Sequence, residues 1–219
     1  MSVSQNPIQQ EIRRHCEKFE HELSHMSGLR ACIQLARDAL SELLLNRPLM
    51  TALMNNLVKG AEYPDINRPT LFDNEVVLFQ PESRAFSLRM YLWGPGEYVP
   101  PHDHNSWGVI GTVTAGFETI NYRREDDGTR EDYARLSEVS RRLLQPAQVV
   151  STLPLNEGIH ETGNPTDETI ITLSIYGPAV RRGYIQGFDI KNRRVYKMVP
   201  PRQKKVLLAT QALRTLKAL

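Results

Sequence analysis

Three histidines are the residues of this chain best suited to hold a metal ion. His102 and His104 flank a single residue in "PPHDHNSWGVIG", and His160 follows a glycine turn in "EGIHETGN". On a β-strand, residues i and i+2 point to the same face, so the first two imidazoles can converge on one ion. Three neutral imidazoles suit divalent iron, zinc, nickel or copper and leave positions open for a substrate. The sequence therefore predicts a three-histidine metal site.

The remaining histidines and the two cysteines predict no second site. His15, His21 and His25 fall on one predicted helix. The last two have a spacing that can bind metal, but they lack a third ligand. Cys16 and Cys32 fall on apolar helix faces, which is typical of buried core thiols. Two cysteines also cannot build a disulfide framework.

The spacing of apolar residues divides the chain into a helical part and a β part, which together must position these residues. Apolar residues recur at steps of three and four from residue 6 to residue 57, which predicts three helices in a helical N-terminal cap over residues 1–65. Residues 66–200 contain short alternating runs separated by turn signals, which predict an antiparallel sandwich or barrel. A C-terminal amphipathic helix is predicted over residues 201–219, and the whole is expected to form one domain. The strand-like runs are 84–93, 107–113, 117–124, 143–153, 168–177 and 194–199.

Composition and charge narrow the class of protein. The 219 residues are 40% hydrophobic and 24% charged, close to globular averages, so disorder and a coiled coil are excluded. The sequence has no signal-like N-terminus and no apolar run near 18 residues, so we expect a cytoplasmic protein. Residues 181–219 hold 11 basic residues and one acidic residue, net +10, whereas residues 1–180 hold 16 and 24, net −8.

The basic tail lacks the features of a nucleic-acid interface. Lys191 to Lys217 have almost no aromatic interleaving and match no nucleic-acid motif. We therefore expect neither a nucleic-acid nor a membrane partner. The acidic body supplies a simpler partner for the tail, within one chain or across a homodimer, and the terminal segment is expected to dock on the barrel.

The histidine motifs resemble those of the cupin superfamily. The residues that match the first cupin motif are Gly96, His102, His104 and Gly116, and those that match the second are His160 and Asn164. The glutamate that usually follows the two histidines is absent, and Gly108 or Val109 stands in its place. The resemblance implies a mainly β fold, a cupin double-stranded β-helix or jelly-roll barrel, with the helical cap added at its N-terminus.

Within cupins, the three-histidine set is similar to the thiol dioxygenases, namely cysteine dioxygenase and its bacterial mercaptopropionate-oxidising relatives. "FSLRMYLWGPGEYVPPHDHNSWGVIG" resembles the segment that leads into their iron site, and the likeness extends over about residues 70–185. It implies an Fe(2+) cofactor, with a small thiol and O2 as partners and a sulfinic acid as product. The chain has Gly108 near the place where mammalian enzymes carry a cysteine crosslinked to tyrosine, so the crosslink is expected to be absent.

The same resemblance implies outer residues for the site. The family places Ser-x-His-x-Tyr on the strand after the third ligand, where this chain has Thr172, Ser174 and Tyr176. Ser174 thus replaces a histidine that orients the tyrosine. Arg181 and Arg182 follow this strand, and an arginine fork suits a substrate carboxylate. Cysteine dioxygenases instead use an arginine before the iron motif, where this chain has about Val76, so cysteine itself is a less favoured substrate than another anionic thiol.

Two other functions stay open on the sequence. A three-histidine cupin can also cleave a carbon–carbon bond in a diketone or an aromatic diol. This alternative stays open because Ser174 replaces the histidine of the thiol dioxygenases. The chain can instead be a cupin that binds a metal or a small metabolite without turnover, its basic tail docking on a partner. Oxygen uptake with thiols or with diketones distinguishes the two enzymes. No oxygen uptake, together with tight ligand binding, indicates the binding protein.

Overall fold

A helical cap opens the fold. The computed structural model describes residues 6–180 and 183–217. Its first three helices are α1 (Pro7–Ser24), α2 (Leu29–Leu45) and α3 (Arg47–Val58). The side chain of Asn6 accepts a hydrogen bond from the backbone of Ile8 and caps α1, and Asn46 caps α3 in the same way. The predicted N-terminal helical region is therefore confirmed.

Eleven strands follow within the described residues, and they form two antiparallel sheets. The strands are β1 (Glu75–Phe79), β2 (Ser87–Trp93), β3 (Tyr98–His102), β4 (Gly108–Thr112), β5 (Phe117–Arg124), β6 (Leu136–Leu144), β7 (Val149–Thr152), β8 (His160–Gly163), β9 (Ile170–Tyr176), β10 (Ile185–Asp189) and β11 (Arg194–Met198). One sheet has the order β1-β2-β9-β4-β7, and the other has the order β11-β10-β3-β8-β5-β6.

The strand order is that of a jelly roll. β2 pairs with β9, β3 with β8, β4 with β7 and β5 with β6, so these eight strands are nested like one long folded hairpin. Successive pairs alternate between the two sheets. This arrangement confirms the predicted double-stranded β-helix, with β1 added to one sheet and β10 and β11 to the other.

The two faces of β2 serve different cores. Leu88 and Met90 are fully buried in the same cluster as Leu40 of the helical cap. Tyr91, on the opposite face, belongs to a cluster inside the barrel. The apolar row that the sequence predicts thus faces the cap, and the row with the polar residues faces the barrel interior. The helices bury the outer surface of the sheet, which leaves the interior free to hold polar side chains.

Two local predictions are wrong. The run 143–153 is not one strand, because β6 ends at Leu144 and β7 begins at Val149. Ala147 in the intervening turn has a φ of 64°, and its amide donates a hydrogen bond to the carbonyl of Thr112. His104 does not lie on a strand with His102, because β3 ends at His102.

The fourth helix, α4 (Pro201–Lys217), confirms the predicted terminal helix but not its docking. Each residue of α4 from Pro201 to Leu216 is exposed, including Val206 at 61% and Leu213 at 57%. The expected contact with the barrel of the same chain is therefore absent from the part of the chain that the structure describes. None of the described helices is long and apolar enough to cross a bilayer.

Candidate metal centre

Backbone pairing brings the three histidines together. His102 is the last residue of β3 and His160 is the first of β8, and the two are direct register partners. His104 lies two residues beyond β3, where its carbonyl accepts a hydrogen bond from the amide of Leu155. Between the histidines, the carboxylate of Asp103 accepts a hydrogen bond from the amide of Gln186 in β10. Hydrogen bonds from β10 and from the helical turn that begins at Leu155 therefore fix the irregular segment that carries His104.

The cluster has the geometry of a metal site. One ring nitrogen from each histidine lies within 4.8 Å of the others. The two Nε2 atoms of His104 and His160 are 2.8 Å apart. Two nitrogens bound to one ion at about 2.0–2.1 Å and at right angles lie about 3 Å apart, which matches this spacing. No carboxylate among the described residues joins the cluster, so the donor set is three imidazoles.

Burial keeps these imidazoles neutral. Desolvation lowers the pKa of His102 to about 4, although a hydrogen bond to the carbonyl of Pro100 opposes the shift. Desolvation and the neighbouring rings hold the pKa values of His104 and His160 well below the usual value. A carbonyl can only accept, so Nδ1 of His102 carries the proton and its Nε2 lone pair faces the cluster. The three residues thus offer lone pairs at neutral pH, as a divalent metal requires.

The predicted outer residues lie on β9. Thr172 and Ser174 are fully buried, and the hydroxyl of Thr172 accepts a hydrogen bond from the indole of Trp93 at 3.0 Å. Tyr176 stacks on His104, with ring centroids 5.7 Å apart and an interplanar angle of 24°. Burial raises the pKa of Tyr176, so its phenol is protonated and can donate a hydrogen bond beside the cluster. Tyr176 thus has a ring contact with the cluster, and Thr172 and Ser174 line a small cavity together with His102 and His160.

Gly108 leaves the space that the ring of Tyr176 occupies. The two residues are register partners in the β4–β9 ladder. A Cβ atom on residue 108 would lie 2.7 Å from two ring carbons of Tyr176, closer than side chains tolerate. Glycine at this position therefore lets the phenol lie flat against β4 and beside His104.

Solved structures of cupin-2 domain proteins are similar to this chain. One from Salinispora arenicola is 20% identical with a TM-score of 0.36 and covers 52% of this chain and 85% of its own. One from Halorhodospira halophila is 20% identical with a TM-score of 0.37 and covers 55% and 73%. The cupin domain of an XRE-family transcriptional regulator from Enterobacter cloacae is 17% identical with a TM-score of 0.33 and covers 48% and 96%.

The barrel has a cupin fold. The nested strand order and the position of the histidines inside the barrel establish this, not the overall likeness to the solved structures. No family model matches the chain. The chain therefore combines a cupin architecture with a three-histidine cluster.

A buried ion pair beside the cluster was not predicted from the sequence. Arg89 of β2 pairs with the carboxylate of Glu75 in β1, whose side chain is fully buried. Arg89 also donates to the hydroxyl of Ser87 at 3.0 Å, and its guanidinium carbon lies 5.8 Å from the ring centre of Tyr176. Burial alone lowers the pKa of Arg89, but Tyr91 and Glu75 outweigh it and raise the pKa. A permanent cation therefore adjoins the candidate metal site.

A cavity of about 810 Å³ joins these groups. His102, His104, Arg89 and Tyr176 line its inner end, and Phe72 is among the apolar residues of its wall. The cavity thus gives a ligand access to the histidines, the guanidinium and the phenol at once.

The sequence held a weak signal for Arg89, because the alternation of β2 places Ser87, Arg89 and Tyr91 on one face. Its partner Glu75 lies on another strand, so the pair itself has no signal of local spacing. The two arginines that the sequence does propose, Arg181 and Arg182, lie outside the described residues.

Proposed function

We propose that this chain is an Fe(2+)-dependent thiol dioxygenase-like enzyme that oxidises a small carboxylated thiol to its sulfinic acid. The thiol R–SH and one O2 give R–SO2H, so both oxygen atoms pass to sulfur and no other reductant is needed. The observation that carries the proposal is a cluster of three neutral imidazoles, two of which line one cavity together with a guanidinium and a phenol.

The donor set fits divalent iron, although imidazoles alone do not exclude zinc, nickel or copper. When bound by His102, His104 and His160, the ion supplies a centre at which a thiolate and O2 can react. Because the three ligands are neutral, the ion would keep its full charge and lower the pKa of a bound thiol.

Arg89 is placed to bind the substrate carboxylate. Glu75 and Ser87 each accept from its guanidinium, and a guanidinium has five N–H donors, so donors remain for a ligand in the cavity. A carboxylate held there would orient the thiol toward the histidines. We propose Arg181 and Arg182 as further ligands of the substrate carboxylate.

Tyr176 would act on the reacting atoms by donating a hydrogen bond. Its phenol keeps its proton at neutral pH because burial raises its pKa. The guanidinium of Arg89 lies 5.8 Å from its ring centre, so a substrate held by Arg89 is brought close to the phenol. Thr172 and Ser174 share its face of β9 and line a small cavity with His102 and His160, so we propose that they position the tyrosine beside the metal ligands.

Oxygen uptake with a substrate panel tests the proposal. Protein loaded anaerobically with Fe(2+) is mixed with mercaptopropionate, cysteine, mercaptosuccinate and a diketone. We expect one O2 consumed per carboxylated thiol, and a product whose mass has grown by two oxygen atoms. Uptake with the diketone alone would indicate carbon–carbon cleavage. No oxygen uptake with any substrate, together with tight binding of one of them, would indicate a binding protein.

Variants of the arginines locate the carboxylate site. We expect Arg89→Ala to raise KM for mercaptopropionate by about tenfold or more, because a charge-assisted hydrogen bond contributes about 1.5–3 kcal/mol. Arg181→Ala and Arg182→Ala are measured beside it. An unchanged KM in Arg89→Ala, with a raised KM in either of the others, would transfer the role to that arginine.

A further inference from the structure

The cavity in front of the histidines is larger than a two- or three-carbon thiol requires. Its volume is about 810 Å³, within the range of about 300–1,000 Å³ that usually buries drug-sized ligands. It reaches from His102 and His104 to Gln80, Ser83 and Arg84 on the segment between β1 and β2. A substrate that touched only the histidines and Arg89 would leave the outer part of this cavity to water.

The two ends of the cavity differ in charge. At the inner end, Glu75 offsets the charge of Arg89. At the outer end, the guanidinium of Arg84 forms no ion pair with any residue that the structure describes. The guanidinium at the mouth therefore keeps its donors for an anionic group of a ligand, beside the carboxylate of Glu20, which accepts a hydrogen bond from Ser83.

The wall between the two arginines is partly apolar. Leu71, Phe72 and Phe86 line it. Arg84 and Arg89 are five residues apart, so their Cα atoms are at most about 17 Å apart. Both residues line the same cavity, so one extended molecule lying along it can contact both.

We propose that Arg84 forms a second anion subsite, and that the natural substrate is an elongated thiol with two carboxylates separated by an apolar chain. One carboxylate binds Arg89 beside the reacting thiol, and the other binds Arg84 at the mouth. The identity of the ligand as a thiol rests on the proposed function, whereas the two anion subsites do not.

Calorimetry on the metal-free protein tests the subsites without turnover. Pimelate, a dicarboxylate with an apolar chain, is compared with heptanoate, which has the same chain length and one carboxylate. We expect pimelate to bind about tenfold more tightly, because a second charge-assisted hydrogen bond forms only at Arg84. Succinate, in which only two carbons separate the carboxylates, should bind no better than heptanoate.

Matched variants assign the effect. Arg84→Ala should remove the preference for pimelate and leave heptanoate unchanged, whereas Arg30→Ala, an exposed arginine of α2, should change neither. Arg84 is exposed and has a φ of 56°, a strain that arginine and alanine share, so this variant should fold. Equal binding of pimelate and heptanoate by the unmodified protein, no measurable binding of either, or a preference that survives Arg84→Ala would overturn the proposal. Tight pimelate binding in a protein that oxidises no thiol would contradict the proposed function alone.

Discussion

The ion pair between Glu75 and Arg89 gives the sharpest test of how the site is built. Glu75 is fully buried, and besides Arg89 its carboxylate accepts hydrogen bonds from the amides of Leu71 and Phe72, at 3.2 and 3.3 Å. Removing one member of a buried pair usually costs about 3–5 kcal/mol, because the other charge is left uncompensated. The Arg89 side chain is 29% exposed, so water recovers part of this cost.

We therefore expect Glu75→Ala to lower the free energy of unfolding by about 3 kcal/mol. Urea unfolding measures the change, and an unchanged m-value shows that the comparison is valid. Asp73→Ala, an exposed carboxylate two residues earlier, is the matched control and should stay within about 0.5 kcal/mol. Glu75→Gln should cost less than Glu75→Ala, because its amide oxygen still accepts. A loss below about 1 kcal/mol in Glu75→Ala would refute the view that a buried carboxylate holds Arg89 in the cavity.

Three further predictions concern Tyr176, the carboxylate of Asp126 and the thiol of Cys16. Gly108→Ala should displace the Tyr176 ring and lower the thiol-oxidation rate about tenfold or more at unchanged metal content, and an unchanged rate would argue against a role for this phenol. Burial favours the protonated form of Asp126, but hydrogen bonds from Arg124 and from two backbone amides outweigh burial and lower the pKa of Asp126 to about 2. Its contribution to stability is complete above the unfolded pKa near 4 and is lost as the pH falls toward 2. The Tm deficit of Asp126→Asn should therefore shrink between pH 5 and pH 2, and a constant deficit would contradict this. Burial raises the pKa of Cys16, so iodoacetamide should modify this thiol only after unfolding, as mass spectrometry of the folded protein can show.

The metal ligands could be predicted because their signal is local. His102 and His104 are two residues apart, and a glycine turn marks the start of the strand that carries His160. The prediction that His102 and His104 converge because they share one strand was wrong for His104. His102 meets His160 through β-sheet register, whereas His104 reaches the cluster from an irregular segment held by hydrogen bonds from β10 and from a helical turn.

The polar wall of the site could not be predicted from periodicity. An alternating strand tells which residues share a face but not which face is inward, and β2 is covered by the helical cap on one side and the barrel on the other. Arg89 therefore lies inside the barrel, although charged residues usually mark a solvent face. Its partner Glu75 comes from a strand that has no clear alternation.

The turn between β6 and β7 shows a different limit. Apolar residues on both sides of "QPAQ" suggested one strand, but Pro146 removes a ladder donor and Ala147 has a positive φ. The proline was a turn signal in the sequence, and the apolar run outweighed it. The pairing of β7 with β4 was then out of reach, because it depends on contacts between residues about 40 positions apart.

Metal stoichiometry of the purified protein tests the central claim most directly. The protein is unfolded, refolded in the presence of Fe(2+) without oxygen, and analysed for iron together with His102→Ala, His104→Ala, His160→Ala and the exposed control His21→Ala. We predict about one iron per chain in the unmodified protein and in His21→Ala, and a loss of stoichiometric iron in each of the other three while circular dichroism shows the same fold. Stoichiometric iron in a folded His102→Ala or His160→Ala variant would contradict the three-histidine site.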